Sequence, residues 1–370
     1  MSRPVRPLPV LPSLVLLALA APAAADWTEQ LEVIGGVTVV YQQELDTNAD
    51  DLSASGDLML ELVTDGGTWF AYLEGATGTD ADSIFNVYPE INGDAGSVLD
   101  SDGGSHVQIS ELHYRMRLGE QAQLWIGQID PSAQLDRSRI ANDENTQFLG
   151  ASFVNNPTIA FPDYTLGLLY RLKAEGRRPE YTVILSSSDG IADNPSRSYR
   201  ELIDVTAAGK GLFAAAGARW YLGDTRIGAG AWLRTDEHPH LDDPDRESRN
   251  YGAYAVYGHA FGAQTLSLRA GIANEDVSPA TRFASVALER VFDAGTLGLG
   301  YARILESSRA RTLASGDTNH AEAWFRLPLG MPGLHGTLSM QYVDNPGFDR
   351  SGVVAEAHAL FGGLRLDYAF

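Results

Sequence analysis

From about residue 30 to Phe370, apolar and polar residues alternate in stretches of roughly ten, bounded by Gly, Asp and Asn. The last stretch is the plainest. Leu364, Leu366, Tyr368 and Phe370 share one parity, and Arg365, Asp367 and Ala369 share the other. A period of two belongs to a β-strand with one apolar and one polar face. The same pattern predicts strands at 31–44, 55–65, 67–78, 105–118, 121–130, 164–174, 179–188 and 209–222. It continues at 225–236, 250–261, 264–274, 281–292, 296–306, 319–328, 333–344 and 356–370. Long helical periodicity is absent, so the chain is all-β.

The connections carry the architecture. Alternate ones are tight, as at Asp65-Gly66-Gly67, Gly119-Glu120, Gly176-Arg177, Gly223-Asp224, Gly262-Ala263, Asp293-Ala294-Gly295 and Gly330-Met331-Pro332-Gly333. Those between are longer and acidic: 45–54, 79–104, 131–163, 189–208, 237–249, 275–280, 307–318 and 345–355. A soluble sandwich has no reason to take short and long connections in turn. A transmembrane antiparallel β-barrel does, with short periplasmic turns and long extracellular loops. About 16 strands follow, with both ends of the barrel on the turn side. The strand ending at Phe370 is expected to pair with the first, so that no backbone edge stays open to lipid. Trp69, Trp220, Phe261, Phe292, Tyr368 and Phe370 then fall at the turn ends of their strands, where an aromatic girdle sits.

Parity also sorts the wall. Leu112, Tyr114, Met116 and Leu118 form a lipid face, opposite Glu111, His113, Arg115 and Arg117. In 226–234, Ile227, Ala229, Ala231 and Leu233 alternate with Arg226, Gly228, Gly230, Trp232 and Arg234. The same test turns Glu74, Arg171, Arg219, Arg269, Glu322, Arg326, Arg365 and Asp367 inward. These charged residues are the candidate pore-lining and selectivity groups, with Trp125 and Trp232 as flat faces on which sugar rings could stack. Opposed Arg and Glu side chains in a narrow, wet lumen give a transverse field and a hydrogen-bonding ladder for hydroxyl-rich solutes. Arginines outnumber carboxylates among them, so the acid of the chain is expected mainly in the outer loops. Segment 131–163 is long, and Phe148, Leu149, Phe153, Ile159 and Phe161 within it need burial. It is expected to fold into the barrel as a constriction.

Charge and composition narrow the function. The 370 residues carry 27 Lys and Arg against 48 Asp and Glu, a net charge of −21, which argues against nucleic acid as a partner. There is no Cys, hence no disulfide and no thiolate metal site. Arg3 and Arg6, the apolar run Leu14–Ala20 and Ala23-Ala24-Ala25 read as a secretory signal peptide over residues 1–25, leaving a single barrel domain over 26–370. No nucleophile motif of the G-x-S-x-G type occurs, no cofactor is implied, and the reading is not that of an enzyme. DSDGG at 100–104 lacks a complete calcium loop. His238, His240, Asp242, Asp243 and Asp245 have the side chains of metal ligands, but in an exposed acidic loop they read as solvated.

Two stretches go beyond periodicity. In IGQIDPSAQLDRSRIANDENTQFLGASFVNNPTIAFP, residues 126–162, the telling positions are Gly127, Ala141-Asn142, Gln147-Phe148-Leu149, Asn155-Asn156-Pro157 and Pro162. In MQYVDNPGF, residues 340–348, they are Gln341-Tyr342 and Asn345-Pro346, followed by the final Phe370. Together they resemble the carbohydrate-selective (OprB-type) porins of Gram-negative outer membranes, over about 105–175 and 320–370. The tryptophan- and glycine-rich opening of that family is not found in 26–60, where only Ile34-Gly35-Gly36 stands.

The resemblance implies a multi-pass barrel in the cell outer membrane, monomeric or trimeric. It implies passive diffusion of small hydrophilic solutes, with carbohydrate transport foremost, and some ion channel activity. It also implies that Tyr368 and Phe370 form the signal read by the outer-membrane assembly machinery. The rival readings are a general or ion-biased diffusion pore and, further off, an outer-membrane barrel enzyme. For the enzyme, a Ser–His pair at the lipid-facing rim would be the mark.

Overall fold

A computed structural model describes residues 30–79, 83–95, 98, 104–192, 198–204, 209–310, 316–346 and 358–370. The expected signal peptide and most of DSDGG lie outside the described residues. Sixteen strands close into one antiparallel barrel, each paired with its neighbours in sequence and β1 paired with β16. The first eight are β1 Leu31–Glu44, β2 Asp50–Val63, β3 Gly67–Ala76, β4 His106–Leu118, β5 Ala122–Ile129, β6 Thr165–Leu172, β7 Glu180–Ser187 and β8 Leu212–Leu222. The second eight are β9 Thr225–Pro239, β10 Glu247–Phe261, β11 Gln264–Ala273, β12 Ala280–Phe292, β13 Gly295–Glu306, β14 Thr318–Pro328, β15 Leu334–Asp344 and β16 His358–Ala369.

The alternation that predicts the strands becomes the two surfaces of the wall. Leu112, Ile126, Leu168, Val183, Leu299, Met340, Leu364 and Leu366 are exposed on the outside, while the neighbours Glu111, His113, Thr182, Gln341, Arg365 and Asp367 are buried inside. An apolar exterior belt of this kind is stable only against lipid. The outer girdle is present as well: Trp69, Phe261, Phe292, Tyr368 and Phe370 are exposed at the turn ends of their strands. At the seam, the Phe370 N–H donates to the Gly35 carbonyl at 2.9 Å and the Gly35 N–H donates back at 3.0 Å. The Phe370 ring lies over Gly35 so closely that a Cβ there would stand 2.5 Å from it. Gly223 and Gly262 open their two-residue turns at φ 62° with open space around them. There the backbone angle, and not crowding, demands glycine.

One expected connection is not long. β2 begins at Asp50 and not near 55, so β1 and β2 are joined by a tight turn over 45–49. The Glu44 carboxylate closes it by accepting from the N–H groups of Asp46 at 3.3 Å and Thr47 at 2.9 Å. β10 likewise begins three residues early, at Glu247. Both strands run past the apolar belt into water, where the two faces are alike and hydrophobic alternation no longer marks them.

Candidate functional site

The barrel is not an empty tube. The connection between β5 and β6 runs along the inner wall, and three charged wall residues hold it there. On β11, buried Arg269 donates to Asp136 at 2.9 Å and to the carbonyls of Phe153 at 2.7 Å and Ala141 at 3.1 Å. On β14, Glu322 accepts from the N–H groups of Leu149 at 2.9 Å and Gly150 at 2.8 Å. On β16, Arg365 donates to the carbonyls of Glu144 and Gln147, the latter at 2.8 Å. Phe148 and Phe153 pack with Phe283, Ala302 and Trp324. They seat over Gly300, where a Cβ would come within 2.6 and 2.7 Å of the two rings. At the tip, Asn145 reaches β2 and donates to Asp57 at 3.1 Å. Burial holds the Asp136 carboxyl above its ordinary range even with Arg269 opposing it.

A second inward segment was not legible as such. Residues 83–95, expected among the outer loops, carry a short helix α1 (Ile84–Val87) and a 3-10 turn (Pro89–Ile91). Ile84, Phe85, Tyr88 and Ile91 pack against Val343, Ala359 and Phe361 of the inner wall. The Ile91 carbonyl accepts from Gln42 at 3.2 Å and Gln341 at 2.9 Å. The two inward segments meet where the Gly93 N–H donates to the Leu149 carbonyl at 2.7 Å. The spacing of apolar residues at 84, 85, 88 and 91 is the signal that was available.

Between these segments and the β1–β4 wall lies a cavity of about 1200 Å³. Among the described residues its lining holds ten carboxylates: Asp57, Glu61, Glu74, Glu90, Glu111, Asp130, Asp143, Glu144, Asp163 and Asp367. It holds one guanidinium, Arg115, which is paired with Glu61 at 2.7 Å. The cavity is thus an acidic vestibule, and four of its acids, Glu90, Asp143, Glu144 and Asp163, come from the long connections 79–104 and 131–163. Glu144 is pushed up to about 8 by burial and by nearby Asp94 and Asp143, and Asp94 to about 6 by burial. Asp57 and Glu61 alternate with Leu58, Leu60 and Leu62, so the parity test extended to this strand finds them.

The arginines are elsewhere or engaged. Arg137, Arg171 and Arg219 cluster around Glu180, which accepts from Arg137 at 3.1 Å and stands 3.5 Å from Arg219. Burial and the Arg219 and Arg171 charges push Arg137 down to about 10. Arg226 is exposed beside Tyr221, with its guanidinium 5.5 Å from the ring centroid. Arg234 pairs with Asp236 at 2.8 Å and Asp189 at 3.4 Å. Arg326 donates to Asp367 at 3.1 Å. Arg117 lies at the turn end and donates to the Thr64 carbonyl at 2.8 Å. Glu111 accepts the Asp130 N–H at 3.0 Å, and Glu74 faces Tyr72 at 3.0 Å.

Trp125 and Trp232 do not offer open faces. They are 5% and 3% exposed. His113 stacks on Trp125 at 4.9 Å, and the guanidiniums of Arg115 and Arg171 stand 4.5 and 5.0 Å from its ring. Trp232 packs against Phe213. Of the predicted wall positions, Glu74, Glu111, Trp125, Trp232, Arg269, Glu322, Arg365 and Asp367 are buried, whereas Arg117 and Arg226 are exposed. The structure divides them into loop anchors (Arg269, Glu322, Arg365), ring-packed groups (Arg115, Trp125) and cavity groups (Glu74, Glu111, Asp367).

Hydroxyl–imidazole pairs occur inside the barrel and at its ends. Ser152 lies 2.8 Å from His320, Thr225 2.8 Å from His259 and Ser248 2.7 Å from His240. The acid nearest to orienting one of them is Asp242, 4.0 Å from the His240 Nδ1 and itself bound to Arg309. Among the described residues no group of three His, Cys, Asp or Glu side chains is arranged for a metal ion.

The class defined by this geometry is the porin-like transmembrane β-barrel with inward-folded loops. No family model matches the sequence, and no curated protein matches it. Solved structures do. The chain is similar to Pseudomonas putida OprB in its high-pH structure, with a TM-score of 0.73 at 13% identity over 93% of this chain and 95% of that one. It is also similar to OmpT, an outer membrane protein of Vibrio cholerae, with a TM-score of 0.57 at 14% identity over 92% and 97% of the two chains. A mutant of Rh. blastica porin matches with a TM-score of 0.52 at 13% identity over 92% and 100%. At such identities the shared property is the fold.

Proposed function

We propose that this chain is an outer-membrane pore for passive diffusion of small hydrophilic solutes. The observation that carries the reading is the closed barrel, apolar outside, around a cavity of about 1200 Å³ lined by acidic side chains, with the β5–β6 connection held along its inner wall. Carbohydrates are the solute class drawn from the OprB-type resemblance in 105–175 and 320–370. With the faces of Trp125 and Trp232 covered, hydrogen bonding to the cavity's polar side chains is the means of holding them, and any ring contact falls to Phe70, Tyr72, Tyr164 and Tyr368 of the lining. A second reading, a cation-biased diffusion pore, is favoured by the ten carboxylates against one guanidinium in the cavity lining. A trimer, one of the two expected assemblies, has a counterpart in the trimer form of OmpT.

The test is single-channel conductance of refolded protein in a planar bilayer, with glucose, maltose and a charged solute added in turn. Ohmic steps that neutral sugar blocks saturably support the carbohydrate reading. Steps indifferent to sugar, with a reversal potential set by the cation gradient, support the second. A folded barrel that yields no steps overturns both.

A further inference from the structure

The acid in the cavity is not evenly served with protons or counter-charges. By strand register Asp57 on β2 stands opposite Glu74 on β3, and Glu74 opposite Gln108 on β4. The three make an inward-facing row across adjacent strands, with partners about 5 Å apart at Cβ. One phenol serves both acids: the Tyr72 hydroxyl lies 2.7 Å from Asp57 and 3.0 Å from Glu74. A hydroxyl has one proton to give, and the shorter contact takes it. Asp57 also accepts from Asn145 at 3.1 Å, so its needs are met. Those of Glu74 are not.

Glu74 is 8% exposed, and its Oε2 has no hydrogen-bond partner among the described residues. The Ser110 and Tyr164 hydroxyls stand near this carboxylate without closing a hydrogen bond on Oε2. Gln108 is 3% exposed; its Nε2 donates to Ser110 at 3.0 Å, and its Oε1 is left unpartnered among the described residues. Ser55, 8% exposed and one rung along β2 from Asp57, has its hydroxyl near the Asp94 carboxylate. The unmet Oε2 of Glu74 and Oε1 of Gln108 are acceptors, and among the described residues the one guanidinium lining the cavity is bound to Glu61.

Resting on the pore reading above, we infer that the recess of Asp57, Glu74 and Gln108 is a binding station for solutes bearing an ammonium or guanidinium group. Such a group brings several N–H donors and a positive charge to a place where, among the described residues, Glu74 Oε2 has no donor and no free cation stands. A neutral sugar brings as many acceptors as donors and no charge, so it answers the two carboxylates less well than a cation does. A bare divalent ion is a poorer fit, because the described acids do not gather three at a metal-binding distance.

The experiment is block of single-channel current by putrescine and by arginine amide, with glucose and calcium as comparisons. The parent channel should show saturable block by both amines at concentrations where glucose and calcium have little effect. Glu74→Gln should raise the half-blocking concentration about tenfold or more, the cost of a lost charged hydrogen bond. Glu74→Asp should keep part of the block, and an unheated-gel mobility shift checks that each variant is a closed barrel. Open channels that neither amine blocks, a block unchanged in Glu74→Gln, or calcium matching the amines would each overturn the inference and leave the pore intact. Absence of steps counts against the pore reading alone. Calorimetric titration of the detergent-solubilised barrel with putrescine then decides the station, which no heat of binding would refute.

Discussion

Arg269→Met should free the β5–β6 connection from the wall without opening the barrel. Arg269 stands on β11 with its outward neighbours in lipid, and Met fills a similar volume there. What is lost is on the inside: the pair with Asp136 and the donors to the Phe153 and Ala141 carbonyls. Both partners of the pair are 2–3% exposed. Removing one side of a buried ion pair costs about 3–5 kcal/mol, because the other charge stays buried alone. At about 1.4 kcal/mol per tenfold, that is roughly two to three and a half orders of magnitude in the opening equilibrium of the loop. The assay is hydrogen exchange of amides in 136–156 under native conditions, which reads local opening apart from global unfolding. Two controls follow from the same reasoning. Asp136→Asn added to Arg269→Met should restore much of the protection, since no unpaired charge then remains. Lowering the pH should shrink the effect of the single variant, since Asp136 takes up a proton. Protection in Arg269→Met within about threefold of the parent would show that the pair does not hold the loop, and the account of the anchors would fail.

Deleting 138–156 should raise single-channel conductance while the barrel still assembles; unchanged conductance in a closed barrel would mean the segment does not narrow the lumen. Gly300→Val should fill the seat of Phe148 and Phe153 and raise loop exchange, with the rings' burial read by protease access to 148–153. Asp94 and Glu144 have folded values raised to about 6 and about 8 from 3.8 and 4.5. A raised carboxyl favours the folded state only while protonated, so its destabilising ionisation grows as pH climbs from the ordinary value to the folded one. Exchange protection in 84–95 and 141–150 should therefore be lower at pH 8.5 than at pH 5.5, and equal protection would refute the assignment.

The wall was legible from sequence because lipid and water enforce it residue by residue. Leu364 and Arg365 differ by one position and by their whole surroundings, and a period of two records this. The same logic missed Asp57 and Glu61 only where it was not carried along β2. The long connections obey no period. That 131–163 turns inward followed from its stranded aromatics. The outcome for 83–95 depended on partners such as Val343 and Phe361, more than 250 residues away, which no local pattern names. The roles of the inward arginines were hidden for a related reason. Parity tells that Arg269 and Arg365 face the lumen, but whether they meet solute or a loop carbonyl is decided by a chain segment from another part of the sequence.

That separation has a consequence for the order in which the molecule is made. The carbonyls and N–H groups of the β5–β6 connection meet their wall partners across 116 residues at Arg269, 173 at Glu322 and 218 at Arg365. All three partners come later in the chain, and the last belongs to the strand that seals the seam. Contacts so distant in sequence pay their full loop-closure entropy before they give anything back. Until β16 meets β1, the connection has only part of its berth. Closing the seam and seating the connection are thereby coupled, since the strand that completes the cylinder also carries the last of the three anchors.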